Sequence, residues 1–335
     1  MKDRAEGAQE LQRIMEIAHA YWASSCLLAG NELGIFKVLS PGPKDAREIA
    51  QAIEGDLRAT TILLNALAAL EFLQKKGEQY QNMPATEQHL VEGKPAAITN
   101  MLHHSYDMWG AWGSLASVVR QGSPKINWED NFLRQKPERV GHFIRAMDEI
   151  GAASAAELAR RLDLSRVKRV LDTAGGPGSY AYAMIRINPN IKATIFDLPL
   201  TLQVTQEYVA KNKMPDNIEL KEGDLLKDPL GEGYDLVLFS HIFHAYSPDE
   251  NREFLRKGYK ALNPGGQLVV HDFPVDETKT SPPQAALFSV NMLVNTQAGA
   301  AYSVNEFIQW MTDVGLRDIK TEDILGRSNA FIGYK

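Results

Sequence analysis

Cysteine occurs once in this chain, at Cys26, which excludes an intramolecular disulfide and a Cys-based zinc site. A reduced, cytoplasmic setting is the expectation that follows. No apolar run reaches the roughly eighteen residues a membrane helix needs, so no spanning segment is expected. Positive charge is not in excess either. Lysine and arginine total 36 against 42 aspartate and glutamate, a net charge of −6, which argues against a nucleic-acid partner that would demand a basic face. Internal repeats and low-complexity runs are missing as well. What remains, 335 residues with 44% hydrophobic and 23% charged, reads as a soluble globular chain with room for two domains.

The N-terminal segment "AYWASSCLLAG" follows mixed polar sequence, whereas a secretory signal needs a basic start and an uninterrupted apolar core. Leu11, Ile14, Met15, Ile17, Ala18, Tyr21 and Trp22 fall on one stripe, and that spacing predicts a packed helix. Two further helices are expected over 45–53 and 58–73, and "KKGEQYQNMPATEQHL" after them reads as a small hairpin. This is the outline of a winged helix. The second helix is apolar on nearly every side and offers no arginine to base edges, so it reads as a buried packing or dimerisation element rather than a DNA reader. Residues 101–160 read as a helical linker rich in aromatics and Met, which serve as core or as the wall of an apolar pocket.

From residue 165 onward the pattern becomes strand, turn, helix. Strands are expected at 168–171, 192–196, 217–221, 235–239 and 267–271, with helices at 179–187, 199–212 and 249–262. Alternation at this spacing predicts an α/β, Rossmann-like, doubly wound and mostly parallel sheet. The tail, "LRDIKTEDI" and "NAFIGYK", reads as a closing antiparallel hairpin. Three regions result: 1–100, 101–160 and 161–335.

In such a sheet, ligands bind beyond the carboxyl ends of the strands. Asp172, Asp197, Asp224 and Asp272 each follow a predicted strand, and the fourth strand is followed by "SHIFHAYSPDE". There Ser247, Pro248 and Glu250 spell a capping box, so a helix starts after Ser247 and His244 falls on the ligand-binding edge. With an unperturbed pKa of about 6.5, histidine can take a proton near neutral pH. His241, His244, His271 and Asp272 also raise the possibility of a metal. Because neighbours on a strand point to opposite faces, His271 and Asp272 are not expected to share an ion, and no metal is assigned.

The turn "VLDTAGGPGSYA" admits two cofactors. Glycines let a backbone approach a ligand closely, and the helix start points N–H groups at it. Gly176-x-Gly178 with Asp197 about 20 residues on fits a dinucleotide fingerprint, which keeps an NAD-dependent oxidoreductase open. That reading does not use the acid before the glycines, nor a second acidic turn at Asp224.

Six segments, "VLDTAGGPG", "FDLP", "EGDLL", "DLVLFSHIFHAYSPDE", "LNPGGQLVVHDF" and "FIRAM", resemble the class I S-adenosylmethionine-dependent methyltransferases. Together with "NELGIFKVL" and "REIAQAI", the chain is similar to small-molecule O-methyltransferases with an N-terminal winged-helix dimerisation domain. That resemblance implies S-adenosylmethionine as cofactor and a homodimer formed through the N-terminal domain. Asp172, Gly175, Gly176, Gly178 and Ser240 would surround the cofactor's amino-acid part. Asp197 would hold the ribose, with Leu198, Asp224 and Leu225 at the adenine. His244 would be the general base and Asp272 its orienting partner. Phe143, Met147 and Met292 would line the pocket of a small, aromatic acceptor. Three departures stand out: Ala174 replaces the usual first glycine, Ser240 stands where plant members carry lysine, and Ala301 replaces a second acid beside the histidine. Carbon or nitrogen methylation without base catalysis and a winged-helix ligand-sensing regulator are the other readings.

Overall fold

The computed structural model describes residues 2–124 and 137–335, so part of the expected linker, 125–136, lies outside the described residues. The chain divides into two compact units, Met1–Met108 and Trp109–Lys335. Among the described residues no helix is long and apolar enough to cross a membrane.

The first unit contains α1 (Lys2–Glu32), α2 (Ile35–Leu39), β1 (Lys44–Asp45), α3 (Ala46–Ala52), α4 (Leu57–Ala69), β2 (Leu73–Lys76), β3 (Gln79–Asn82), α5 (Pro84–His89) and α6 (Thr99–Asp107). Asp45 and Glu48 form a capping box at α3, and Asp56 caps α4, satisfying amides that the first helical turn leaves without partners. The hairpin joins a three-stranded sheet of order β1-β3-β2 over a core that includes Ile35, Phe36, Ile49, Leu64, Leu67 and Tyr80.

Three expectations need correction here. The helix expected to reach 73 stops at Ala69, because Glu71 turns left-handed (φ 63°) and Leu73 enters β2. Nor is α4 buried all round: Ile62 is 55% exposed. The stripe on α1, expected to be packed, is open in the single chain, with Ile17 69% and Trp22 58% exposed.

The second unit runs α7 (Trp109–Gly113), α8 (Leu115–Gln121), α9 (Pro137–Arg161), β4 (Arg169–Thr173), α10 (Ser179–Ile187), β5 (Lys192–Asp197), α11 (Pro199–Asn212), β6 (Ile218–Glu222) and β7 (Tyr234–Ser240). A 3-10 turn (Phe243–Ala245), α12 (Pro248–Ala261), β8 (Leu262–Asp272), α13 (Pro283–Asn295), α14 (Val304–Asp313), β9 (Arg317–Ile324) and β10 (Ser328–Tyr334) complete it. The seven strands lie in the order β6-β5-β4-β7-β8-β10-β9. The first five pair in parallel, and β10 is antiparallel to both β8 and β9, as the tail's pattern predicted. Leu158, Met184, Ile195 and Val269 belong to one buried cluster, and Phe239, Phe254, Phe307 and Trp310 to another. The winding direction reverses between β4 and β7, and a crevice opens at such a switch point.

Helices α13 and α14 carry no expectation from the sequence reading. Their starts were legible in part: Ser303 and Glu306 form a capping box of the same kind as Ser247 and Glu250 at α12.

Candidate active site

The switch point is occupied by the glycine turn. Gly176 and Gly178 take positive φ (54° and 84°), conformations that side chains disfavour. A Cβ at Gly178 would lie 2.6 Å from Ile195 Cδ1, and one at Gly175 would lie 2.9 Å from Asp172 Cγ. Ala174, in place of a glycine, also takes positive φ (53°) and carries the strain of that substitution. The turn's amides are less free than the sequence reading expected. Gly176 N–H donates to Asp197 Oδ2 at 2.8 Å, and Gly178 N–H to the Gly175 carbonyl at 2.9 Å. In the first turn of α10 the Tyr182 amide already meets the Gly178 carbonyl at 3.0 Å and the Ala181 amide faces Asp172, which leaves the amides of Ser179 and Tyr180 as the donors toward a ligand.

Four of the predicted acids behave differently from one another. Asp172 lies fully buried beneath Gly175, and neither carboxylate oxygen has a hydrogen-bond partner of ordinary geometry. Burial pushes its carboxyl up to about 7, partly offset by the Ala181 amide and reinforced by the Asp197 charge. The Tyr180 hydroxyl, which faces Ser240, and His241 Nδ1 are also buried without a hydrogen-bond partner of ordinary geometry. Asp197, raised by burial against the pull of two amides, bonds Gly176 N–H and its neighbour Leu198 N–H at 2.7 Å. Asp224 accepts from Leu226 N–H at 2.9 Å and pairs with Lys227 at 2.6 Å. Each of these two carboxylates has acceptor capacity left over for a ligand hydroxyl or amine. Leu225 is buried with Phe196.

Asp272 belongs to the histidine. Its Oδ1 accepts from His244 Nδ1 at 2.7 Å and from Phe273 N–H at 2.8 Å, and its Oδ2 from His244 N–H at 3.1 Å. Burial pushes the carboxyl up, but the adjacent His244, its hydrogen bond, His241 and the Phe273 amide together hold it below the usual carboxylate range. With Nδ1 committed as donor, Nε2 is the basic nitrogen, and it makes no hydrogen bond among the described residues. The side chain retains 14% exposure. Phe288 meets the imidazole edge-on at 4.7 Å, and Phe273 packs against Phe288 at 5.1 Å and stacks on His241 at 4.4 Å.

His271 turns away from Asp272, as strand alternation requires, and contacts Ser328 Oγ at 2.8 Å and Ser240 Oγ at 3.2 Å. Burial lowers it to about 4, against the opposing Asp272 charge. Ala301 is buried beside Val275 and Ala285, so that position supplies no second acid to the histidine.

Of the expected acceptor-side residues, Met292 shares α13 with Phe288, about one turn away. Phe143 packs in a cluster with Leu198, Leu200 and Tyr208, which sets it beside the position expected for adenine. Met147 lies next to Asp148, which accepts from Ser179 Oγ at 2.6 Å and ties α9 to the glycine turn. Phe273, Phe288 and Tyr180 went unnoticed in the sequence. Phe273 directly follows a predicted strand-end acid, a signal that was available; Phe288 sits on a helix that was not foreseen.

Comparison with known proteins decides between the cofactors. An O-methyltransferase domain model matches residues 112–317, and an O-methyltransferase dimerisation domain model matches residues 15–92. The chain belongs to the O-methyltransferase family. It is 31% identical over 312 residues to a 3-hydroxy-5-methyl-1-naphthoate 3-O-methyltransferase of Streptomyces sahachiroi, covering 92% of this chain and 90% of that protein. It is 28% identical over 326 residues to the tetracenomycin polyketide synthesis 8-O-methyl transferase TcmO of Streptomyces glaucescens, covering 96% of each. Human N-acetylserotonin methyltransferase, solved with S-adenosylmethionine, superposes with a TM-score of 0.87 at 25% identity over 98% of both chains.

This O-methyltransferase therefore uses S-adenosylmethionine and acts on a small-molecule hydroxyl, and the NAD and regulator readings fall away. The residues present fit the cofactor. The turn is bare backbone at Gly176, where a Cβ would meet no protein atom within 4 Å, and the Asp172 carboxyl, the Tyr180 phenol and His241 Nδ1 lack hydrogen-bond partners of ordinary geometry.

Proposed function

We propose that His244 is the general base of this O-methyltransferase and that the acceptor is a flat aromatic hydroxyl compound. When bound, the cofactor supplies an electrophilic methyl group on a sulfonium. The remaining tasks fall to the chain: bind, align, exclude water and remove the hydroxyl proton. The single observation that carries the reading is the 2.7 Å bond between His244 Nδ1 and the buried Asp272. It fixes the tautomer that leaves Nε2 able to accept, and it stabilises the imidazolium formed when the proton arrives. The rings of Phe273, Phe288 and His241 around this pair suit a planar apolar substrate and keep water away. The hydroxynaphthoate named for one relative supports that class.

On the cofactor side, we assign Asp197 to the ribose hydroxyls, Leu198, Asp224 and Leu225 to the adenine, and the Asp172–Gly178 turn with Ser240 to the amino-acid part. Met147 and Met292 are assigned to the acceptor. Phe143 is reassigned toward the nucleoside because of its packing against Leu198. We read the N-terminal unit as a winged-helix module that pairs two copies through the exposed α1 stripe, in a cytoplasmic enzyme without a nucleic-acid partner.

The test is turnover of S-adenosylmethionine with a hydroxynaphthoate acceptor. His244→Ala is expected to lose about 10²–10⁴-fold in kcat while binding S-adenosylhomocysteine as before. Full activity in that variant would remove His244 from proton transfer.

A further inference from the structure

Buried asparagines are uncommon, and Asn251 is fully buried on the first turn of α12 with its Oδ1 lacking a partner. Leaving such an acceptor unmet is costly, so the side chain needs a reason to be there. Its Nδ2 donates to the carbonyls of Phe243 and Tyr246, at 2.9 and 3.3 Å. Those two carbonyls bracket the 3-10 turn that carries His244. From the other side, Gly299 abuts the same turn: a Cβ there would collide with the His244 carbonyl oxygen and lie 3.0 Å from the Ala245 carbonyl carbon. Both neighbours are backbone and have no rotamer by which to move aside. Thr296 Oγ, 2.5 Å from that Cβ position, holds Gly299 N–H at 2.9 Å and donates to the Met292 carbonyl at 2.8 Å, locking the segment to α13. The Tyr302 hydroxyl adds a donor to the Tyr246 carbonyl.

We propose that Asn251 and Gly299 are positioning residues for His244. They hold its turn by the backbone, and this bracing does the work that a second acid at the Ala301 position would do through the side chain. The inference rests on the reading of His244 as the base, but the geometry it asserts is separately measurable. Asn251 grips the turn's two ends; Gly299 limits its outward movement; Asp272 then needs only to set the ring.

The experiment follows the imidazole Nδ1–H proton of His244 by NMR in the full chain saturated with S-adenosylhomocysteine. The resonance is assigned by its loss in His244→Ala. In Asn251→Leu, which keeps the branched side-chain shape but has no donor, and in Gly299→Ala, this resonance is expected to broaden beyond detection or move upfield as the bond to Asp272 lengthens. Affinity for S-adenosylhomocysteine should change less than twofold, and kcat with a hydroxynaphthoate should fall at least tenfold. An unchanged resonance in either folded variant overturns the proposal. So does an equal kcat loss when Asn251→Leu is placed in the His244→Ala background, because a positioning effect must act through the histidine. If His244→Ala itself keeps full turnover while the resonance still moves, the base assignment fails and the positioning geometry stands.

Discussion

Asp272→Asn offers the sharpest examination of the site, because the structure dictates how asparagine must fail. Three N–H groups converge on this carboxylate: His244 Nδ1 and Phe273 N on Oδ1, His244 N on Oδ2. Asparagine presents one oxygen and one NH2. If its oxygen takes the Oδ1 position, the NH2 meets the His244 amide, donor against donor. If the amide flips, the NH2 faces Nδ1 and forces the proton to Nε2, the nitrogen required as base. Either arrangement also removes a negative charge beside the imidazolium that forms in the transition state. At about 4 Å and an effective dielectric near 20, that charge is worth about 4 kcal/mol. With about 1.4 kcal/mol for each tenfold, kcat is expected to fall about 10³-fold. The assay is steady-state transfer of labelled methyl to a hydroxynaphthoate, with calorimetric binding of S-adenosylhomocysteine as control. The residual rate should climb with pH as the acceptor ionises in solution. A loss smaller than about fivefold, with binding and fold intact, would refute the tautomer argument.

Three further outcomes are expected. Asp172 has a folded value raised to about 7, so the stability it contributes is complete below 3.8 and is lost as pH rises through about 7. Asp172→Asn should therefore raise the melting temperature of the empty protein at pH 8 while weakening S-adenosylhomocysteine binding; a lowered melting temperature at that pH would contradict the burial argument. His271 is lowered from 6.5 to about 4, so the unfolded chain takes up a proton first and stability drains as pH falls across that window, by up to about 3 kcal/mol. His271→Gln should make the acid limb of a pH–melting profile shallower, and an unaltered limb would count against it. Charging the exposed stripe with the double change Ile14→Asp and Ile17→Asp should shift light-scattering mass from dimer to monomer with helicity retained. A dimer that persists would place the interface elsewhere.

Much of the site could be read from the chain because its signals are local. The capping box at Ser247 depends on residues three apart, strand-end acids follow from period-two runs, and the need for glycine at 176 and 178 comes from their own φ angles. Asn251 and Gly299 carried no such signal. Nothing near Asn251 in sequence marks it as bonded to the turn before its helix, and Gly299 matters only because a backbone more than fifty residues earlier lies against it. Helix α13 escaped notice because an apolar run such as "AALFSVNMLV" lacks a helical period to distinguish it.

Composition and pattern by themselves determined the fold class, the order of the sheet's building blocks and the rim on which the chemistry stands, since these follow from periodicity and backbone preference. Tertiary structure alone decided which of the polar groups on that rim remain available. The Gly176 amide is turned to Asp197 and Asp172 is shut beneath Gly175, while His244 Nε2 is left open. The same limit explains α1, whose stripe announces burial without saying against what. Hydrogen-bond partners and burial are set by neighbours in space, and a linear pattern carries no record of which distant atoms arrive.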